Sequence, residues 1–234
     1  MTDSANSSLP PVRTLEPFTG FRLINSKFPP ISLFDDVADE SEFQLLYQLQ
    51  ALTNPRIQTE IGNLNLINPS EIPFGITGCS YAISAFTHVN PDGSRFSDGQ
   101  FGVLYIADSV ATAVKEVAYH QGRYWAGVHG LDYDRFVFRG LRVKVGEADW
   151  HDATEWSANN AIYDPVSYTA SRTLGKALKK EGASGLQYFS VRNPGALCWG
   201  LFTPRHVKSV VQSTHFEFVW NGEAISGIHR VSKI

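Results

Sequence analysis

Residues Ser94–His120 read SRFSDGQFGVLYIADSVATAVKEVAYH, and this stretch decides how the chain is read. A glycine-bearing turn leads into FGVLYIA, a near-continuous apolar run short enough for a buried strand. Asp108 and Ser109 then supply the kind of side chain that caps a helix, and Val110, Ala113, Val114 and Val117 recur as an apolar stripe. Turn, strand and helix each carry one residue suited to chemistry: Arg95, Tyr105 and Glu116. Glu116 precedes Val117 and so lies about 100° around the helix from the stripe, on the flank it shares with Ser109, Thr112 and His120. A carboxylate there faces either a cleft beside the sheet or solvent. Taken singly, Tyr105 reads as a core tyrosine with a satisfied hydroxyl and Arg95 as a surface turn residue.

Working outward, Met1 to Pro17 is polar and proline-bearing, a composition read as a flexible tail. GFRLINSKFPP is a short strand ended by Pro29 and Pro30. DESEFQLLYQLQALTN has helical spacing, with Asp39 or Ser41 as N-cap and Asn54-Pro55 as the stop. Gly62 to Gly78 is an irregular connection, and CSYAISAFTHV is either strand or helix. DRFVFRGLRVKVGEAD reads as a strand, and SYTASRTLGKALKKEG as a capped helix closing at Gly182. GLQYFS, LCWGLF and HVKSVVQSTHFEFVW are three more strands. Strands outnumber helices and cluster late, which predicts an α+β fold with a mixed or antiparallel sheet core and flanking helices.

The 234-residue length and 43% hydrophobic content fit one compact domain over residues 18–234 after the tail at 1–17. The charge of −3, from 20 basic and 23 acidic residues, leaves no basic face for a phosphate backbone, so direct nucleic-acid binding is not expected. Cys79 and Cys198 lie far apart with no ligand spacing, which suggests neither a zinc site nor a disulfide framework and fits a reducing cytoplasm. No signal peptide and no membrane span is expected. The glycine-rich nucleotide loops, the HExxH metal motif and the GxSxG elbow are all absent.

Arg95, Tyr105 ten residues on, Glu116 eleven further, and much later Ser190 in GLQYFSVRNPGALCWGLF together resemble the RES-domain family. That family takes its name from an arginine, a glutamate and a serine. GSRFSDGQFGVLYIADSVATAVKEVAYH is similar to its arginine turn, strand and glutamate helix, and YDPVSYTASRTLGKALKKEGASGLQYFSVRNPGALCWGLFTP to its second half. FRLINSKFPPISLFDD and LYQLQALTNPR are similar to a longer branch, so the resemblance covers most of Phe21 to Trp220. Residues 18–90 form an N-terminal elaboration and 91–220 hold the core motifs.

The resemblance implies a toxin of a bacterial toxin–antitoxin pair, with a fold like that of ADP-ribosyltransferases, that breaks down NAD as substrate with no further cofactor. It implies Arg95, Tyr105 and Glu116 for catalysis, with Ser190, Arg95 and Tyr105 binding substrate. Arg22 and Arg192 are further binding candidates or members of surface ion pairs. Cleavage between nicotinamide and ribose gives the sugar oxocarbenium character, which a carboxylate stabilises. A preorganised group such as Glu116 is worth about 3 kcal/mol, or about a hundredfold in rate. Tyr105 offers a ring to the cationic nicotinamide, a contact of about 0.5–2 kcal/mol, and Arg95 offers a charged fork to the pyrophosphate. Ser190 is assigned binding rather than nucleophilic attack, because no histidine lies at a motif spacing from it. His120, four residues past Glu116, either orients that carboxylate or caps the helix end. The acceptor is water, phosphate or a macromolecule, and the implied partner is a helix-turn-helix antitoxin; the chain acts as a monomer or a homo-oligomer. From another class, a non-catalytic module that holds a nucleotide or protein segment in the same cleft is the alternative.

Overall fold

The structure is a computed structural model that describes residues 9–27, 39, 41–43, 45 and 62–231. In strand β3 (Leu104–Ala107), Leu104 and Ile106 enter one apolar core while Tyr105 and Ala107 face another. Successive side chains of a strand point to opposite faces, so a strand covered on both sides reads as a continuous apolar run. Three further strands flank this centre in the chain: β1 (Val12–Leu15), β2 (Phe18–Asn25) and β4 (Asp134–Val145). Then come β5 (Ala148–Asp152), β6 (Gly185–Phe189), β7 (Leu197–Leu201), β8 (Val207–Trp220) and β9 (Ile225–Val231). Among the described residues these make one nine-stranded sheet in the order β1-β5-β6-β7-β3-β2-β4-β8-β9.

Helix α1 (Cys79–Thr87) covers one face, where Ala82, Ile83 and Phe86 pack with Leu104, Leu141 and Val143. Helices α2 (Val110–Trp125) and α3 (Thr169–Lys180) cover the other, where Ala113, Leu174 and Leu178 pack with Ala107, Leu186 and Cys198. The pair β5–β6 is parallel and the remaining pairs are antiparallel. That parallel pair is joined through α3, because a parallel return needs a crossover rather than a hairpin. The architecture is α+β, with a mixed sheet between flanking helices.

Several expectations change. The tail read over 1–17 contains β1, which pairs with β5 from Val12 opposite His151 to Leu15 opposite Ala148. Backbone pairing, rather than apolar content, holds this mostly exposed edge strand. The single strand expected over DRFVFRGLRVKVGEAD is two: it breaks at Gly146, and β5 goes to the opposite half of the sheet from β4. CSYAISAFT is a helix. β2, within the stretch read as an elaboration, lies at the centre of the sheet between β3 and β4. The helix expected over DESEFQLLYQLQALTN falls mostly outside the described residues. At its start Asp39 is the cap, accepting from the Glu42 N–H at 2.9 Å. No helix among the described residues is long and apolar enough to cross a membrane.

Candidate functional site

Ser109 starts α2 by accepting the Thr112 N–H at 3.1 Å, which fixes the phase of the helix. One consequence is the direction of Glu116: its side chain is only 22% exposed, and Oε1 accepts a 2.5 Å hydrogen bond from Ser190 Oγ. Glu116 therefore faces Ser190 rather than open solvent. Ser190 directly follows β6, and its Oγ also accepts the N–H groups of Arg192 and Asn193, at 3.2 and 2.9 Å. The loop it organises is tied back to α2, where Asn193 Nδ2 donates to Thr112 Oγ1 and Lys115 Nζ donates to Asn193 Oδ1, both at 2.8 Å. Glu116 Oε2 stands 3.9 Å from His120 Nε2. The helix runs on to Trp125, so His120 caps nothing.

Arg95 is not a surface residue, being 7% exposed. Its Nη1 donates to the carbonyls of Ile162 and Asp164 at 3.0 and 3.1 Å, and its guanidinium lies 4.4 Å from the centre of the Tyr168 ring. The turn that carries it is clamped from two sides. The Tyr105 hydroxyl accepts the Phe96 N–H at 2.9 Å and shares a hydrogen bond with Ser94 Oγ at 2.8 Å. From α3, Arg172 donates to the carbonyls of Ser94 and Asp92 at 3.0 and 2.7 Å. Helix and turn meet so closely at Gly175 that a Cβ there would lie 1.9 Å from the Phe96 carbonyl oxygen. Tyr105 thus shapes the arginine turn through its hydroxyl, and burial raises its phenol pKa to about 12, which keeps it protonated.

Tyr188, on the same face of β6 as Ser190, connects the two halves of the cluster. Burial holds its phenol well above its usual pKa, with charges at Glu116 and Arg95 both acting on it. Its ring meets Phe96 edge-on at 4.8 Å. Burial likewise pushes the Cys198 thiol up, helped by Glu116 and Asp108, so this neighbour is an inert thiol rather than a nucleophile. The His120 pKa is lowered, chiefly by burial, while Glu116 acts in the opposite sense.

A strap over residues 164–168 covers this cluster. Pro165 O accepts from Tyr119 Oη at 3.2 Å and from Arg192 Nη2, and the Arg192 guanidinium lies 3.3 Å from the centre of the Tyr119 ring. Neither Arg192 nor Arg22 forms an ion pair among the described residues. Arg22 Nη1 donates to the Tyr105 carbonyl at 3.2 Å. Arg95, Tyr105, Glu116 and Ser190 thus lie on the side of the sheet covered by α2 and α3, with Arg192 beside the 164–168 strap and Arg22 against the Tyr105 backbone. Among the described residues no three His, Cys, Asp or Glu side chains form a metal-binding group.

Sequence reasoning missed Tyr188, Tyr168, Tyr119, Asn193 and Thr112. Tyr188 was legible as the residue two before Ser190 on one strand, which places both on one face. Tyr168 carried no such signal, because its partner Arg95 is brought to it by the fold.

The RES domain family model matches residues 72–221, more than half of the 234-residue chain. The match begins upstream of the arginine turn and takes in α1. Uncharacterized protein y4oC of Sinorhizobium fredii is 27% identical over 210 residues, covering 88% of this chain and 84% of that protein. Among solved structures, the M. tuberculosis MbcT–MbcA toxin–antitoxin complex is similar at 12% identity and a TM-score of 0.37, over 53% of this chain and 73% of that one. With its arginine turn, glutamate helix and serine loop inside the matched segment, the chain belongs to the RES-domain family.

Proposed function

We propose that this chain is an NAD-degrading toxin that cleaves the nicotinamide–ribose bond, with water or phosphate as acceptor, and is silenced by a helix-turn-helix antitoxin. The observation that carries the reading is the 2.5 Å hydrogen bond between Ser190 and Glu116, set beside the buried Arg95 turn. What supports it further is that Tyr105 bonds the turn that carries Arg95 while Glu116 bonds Ser190, on the side of the sheet covered by α2 and α3. An ADP-ribosyltransferase-like pocket is the natural interpretation of that grouping.

In this reading Ser190 occupies Oε1 of Glu116 and leaves Oε2 for a ribose hydroxyl. The carboxylate then stabilises the positive charge that grows on the ribose as neutral nicotinamide departs. The acceptor oxygen forms the new bond to the ribose carbon and releases its proton to solvent, giving ADP-ribose with water or its 1-phosphate with phosphate. Arg95 meets the Ile162 and Asp164 carbonyls through Nη1, which leaves the other edge of its fork to a pyrophosphate oxygen. Tyr105 holds the arginine turn and presents its ring, and the strap at 164–168 must part for substrate to enter.

Controlled expression in a bacterial host tests this. Cellular NAD and growth should fall together with the wild-type chain and be spared by Glu116→Gln. Growth arrest with an undiminished NAD pool would contradict the reading, and ADP-ribose found on a macromolecule with no free ADP-ribose would favour the transferase alternative.

A further inference from the structure

Glu116 does not stand alone on its helix. Tyr119, three residues on, is its neighbour on the surface of α2, and its ring meets that of His120 edge-on at 5.3 Å. The two parts of this tyrosine are differently occupied. Its hydroxyl donates to Pro165 O at 3.2 Å, which ties the ring to the 164–168 strap, and Arg123 Nη1 reaches the same hydroxyl at 3.4 Å. The face of the ring carries the Arg192 guanidinium 3.3 Å from its centre, while the Arg123 guanidinium stands off at 5.8 Å.

Arg192 is poorly provided for in that place. No carboxylate among the described residues pairs with it, and its Nε is buried there without a hydrogen-bond partner. The hydrogen bond that its side chain does make, to Pro165 O, goes to an acceptor that Tyr119 already serves. A buried donor left unpaired is costly, so the contact that holds the guanidinium there is its stack on the ring.

We infer that the face of Tyr119 is a seat for a pyridinium cation, the oxidised nicotinamide ring, and that Arg192 fills it as a stand-in until substrate displaces it. The inference rests on the NAD reading of this site, and it adds a helix-borne ring to the one that Tyr105 presents from β3. Guanidinium and pyridinium are both flat, delocalised cations that lie on an aromatic face, so a ring that stacks one at 3.3 Å suits the other. A reduced nicotinamide ring is neutral and lacks this attraction, so Tyr119 selects the oxidised dinucleotide over the reduced one. Cleavage has the same consequence: positive charge passes to the ribose and the departing nicotinamide is neutral, so the seat holds substrate and lets product go. Because the attraction is strongest before the charge moves, Tyr119 acts on KM more than on kcat.

Titration calorimetry of the full chain with 1-methylnicotinamide, a pyridinium cation, and with neutral nicotinamide tests this without turnover. The wild type should bind the cation about two- to thirtyfold more tightly than the neutral ring. Tyr119→Leu should lose that preference, Tyr119→Phe should keep it because the ring survives, and the exposed control Arg205→Gln should leave it unchanged. Arg192→Gln should tighten cation binding, since the occupant and a like charge are both gone; this sign carries the test if Tyr119→Leu fails to fold. Equal affinities for the two probes, binding of neither, a preference retained in Tyr119→Leu, or weaker cation binding by Arg192→Gln overturns the proposal. A chain that binds the cation through Tyr119 yet leaves NAD intact contradicts the NAD reading alone, whereas NAD cleavage with a preference indifferent to Tyr119→Leu contradicts the seat alone.

Discussion

Glu116 works as a pair with Ser190, and the pair predicts unequal consequences for its two members. Glu116→Gln keeps the shape and removes the charge, so NAD turnover should fall about a hundredfold or more with the fold intact. Ser190→Ala removes a hydroxyl that donates to Glu116 and accepts two loop amides, so it should lower both turnover and stability, the latter by about 1–3 kcal/mol in chemical denaturation. Tyr105→Phe, which appears conservative when the ring alone is considered, leaves the Phe96 N–H without its partner. It should destabilise by about 1–3 kcal/mol and loosen the Arg95 turn, so its turnover should approach that of Tyr105→Ala. His120 adds a pH dependence. Its folded pKa lies below the usual 6.5, so the stability tied to its neutral form is complete above that pH and is lost as pH falls toward the folded pKa. With 47% of the side chain exposed, water screens it, but an imidazolium 3.9 Å from Glu116 still offsets the carboxylate's charge. Activity should therefore decline on the acid side, and His120→Gln should flatten that limb of the kcat/KM profile.

Elements place these residues, and α3 illustrates how closely. Gly175 lets the helix rest on the backbone of the arginine turn, so Gly175→Ala must push Phe96 and with it Arg95. The variant should lose NAD turnover at constant helix content by circular dichroism, because alanine favours the helix while the contact forbids it. The elements legible in the sequence were those with a clear period and caps: α2 with Ser109, α3 with Gly182, and the long strands β4 and β8. α1 defied the same reasoning because Cys79, Ser80, Ala82, Ile83, Phe86 and Thr87 are all buried, which leaves little polar face to set a period. β1 and β9 failed for the opposite reason: both are edge strands with mostly exposed side chains, held by ladder pairing that leaves little apolar signature.

At the scale of the whole molecule, a nine-stranded sheet separates two cores, and the candidate site occupies the face covered by α2 and α3. The α+β class was legible from the number and order of strands. The burial of Arg95 was not, because the carbonyls of Ile162 and Asp164 that receive it arrive from far along the chain. The grouping of Arg95, Tyr105, Glu116 and Ser190 came from family resemblance rather than from any one residue, and the fold supplies its geometry. The most direct test of that grouping is release of free nicotinamide from NAD by the purified chain, with and without phosphate, beside Glu116→Gln. The account predicts nicotinamide in step with NAD loss for the wild type and little for the variant; NAD left intact by folded wild-type protein under both conditions would contradict it.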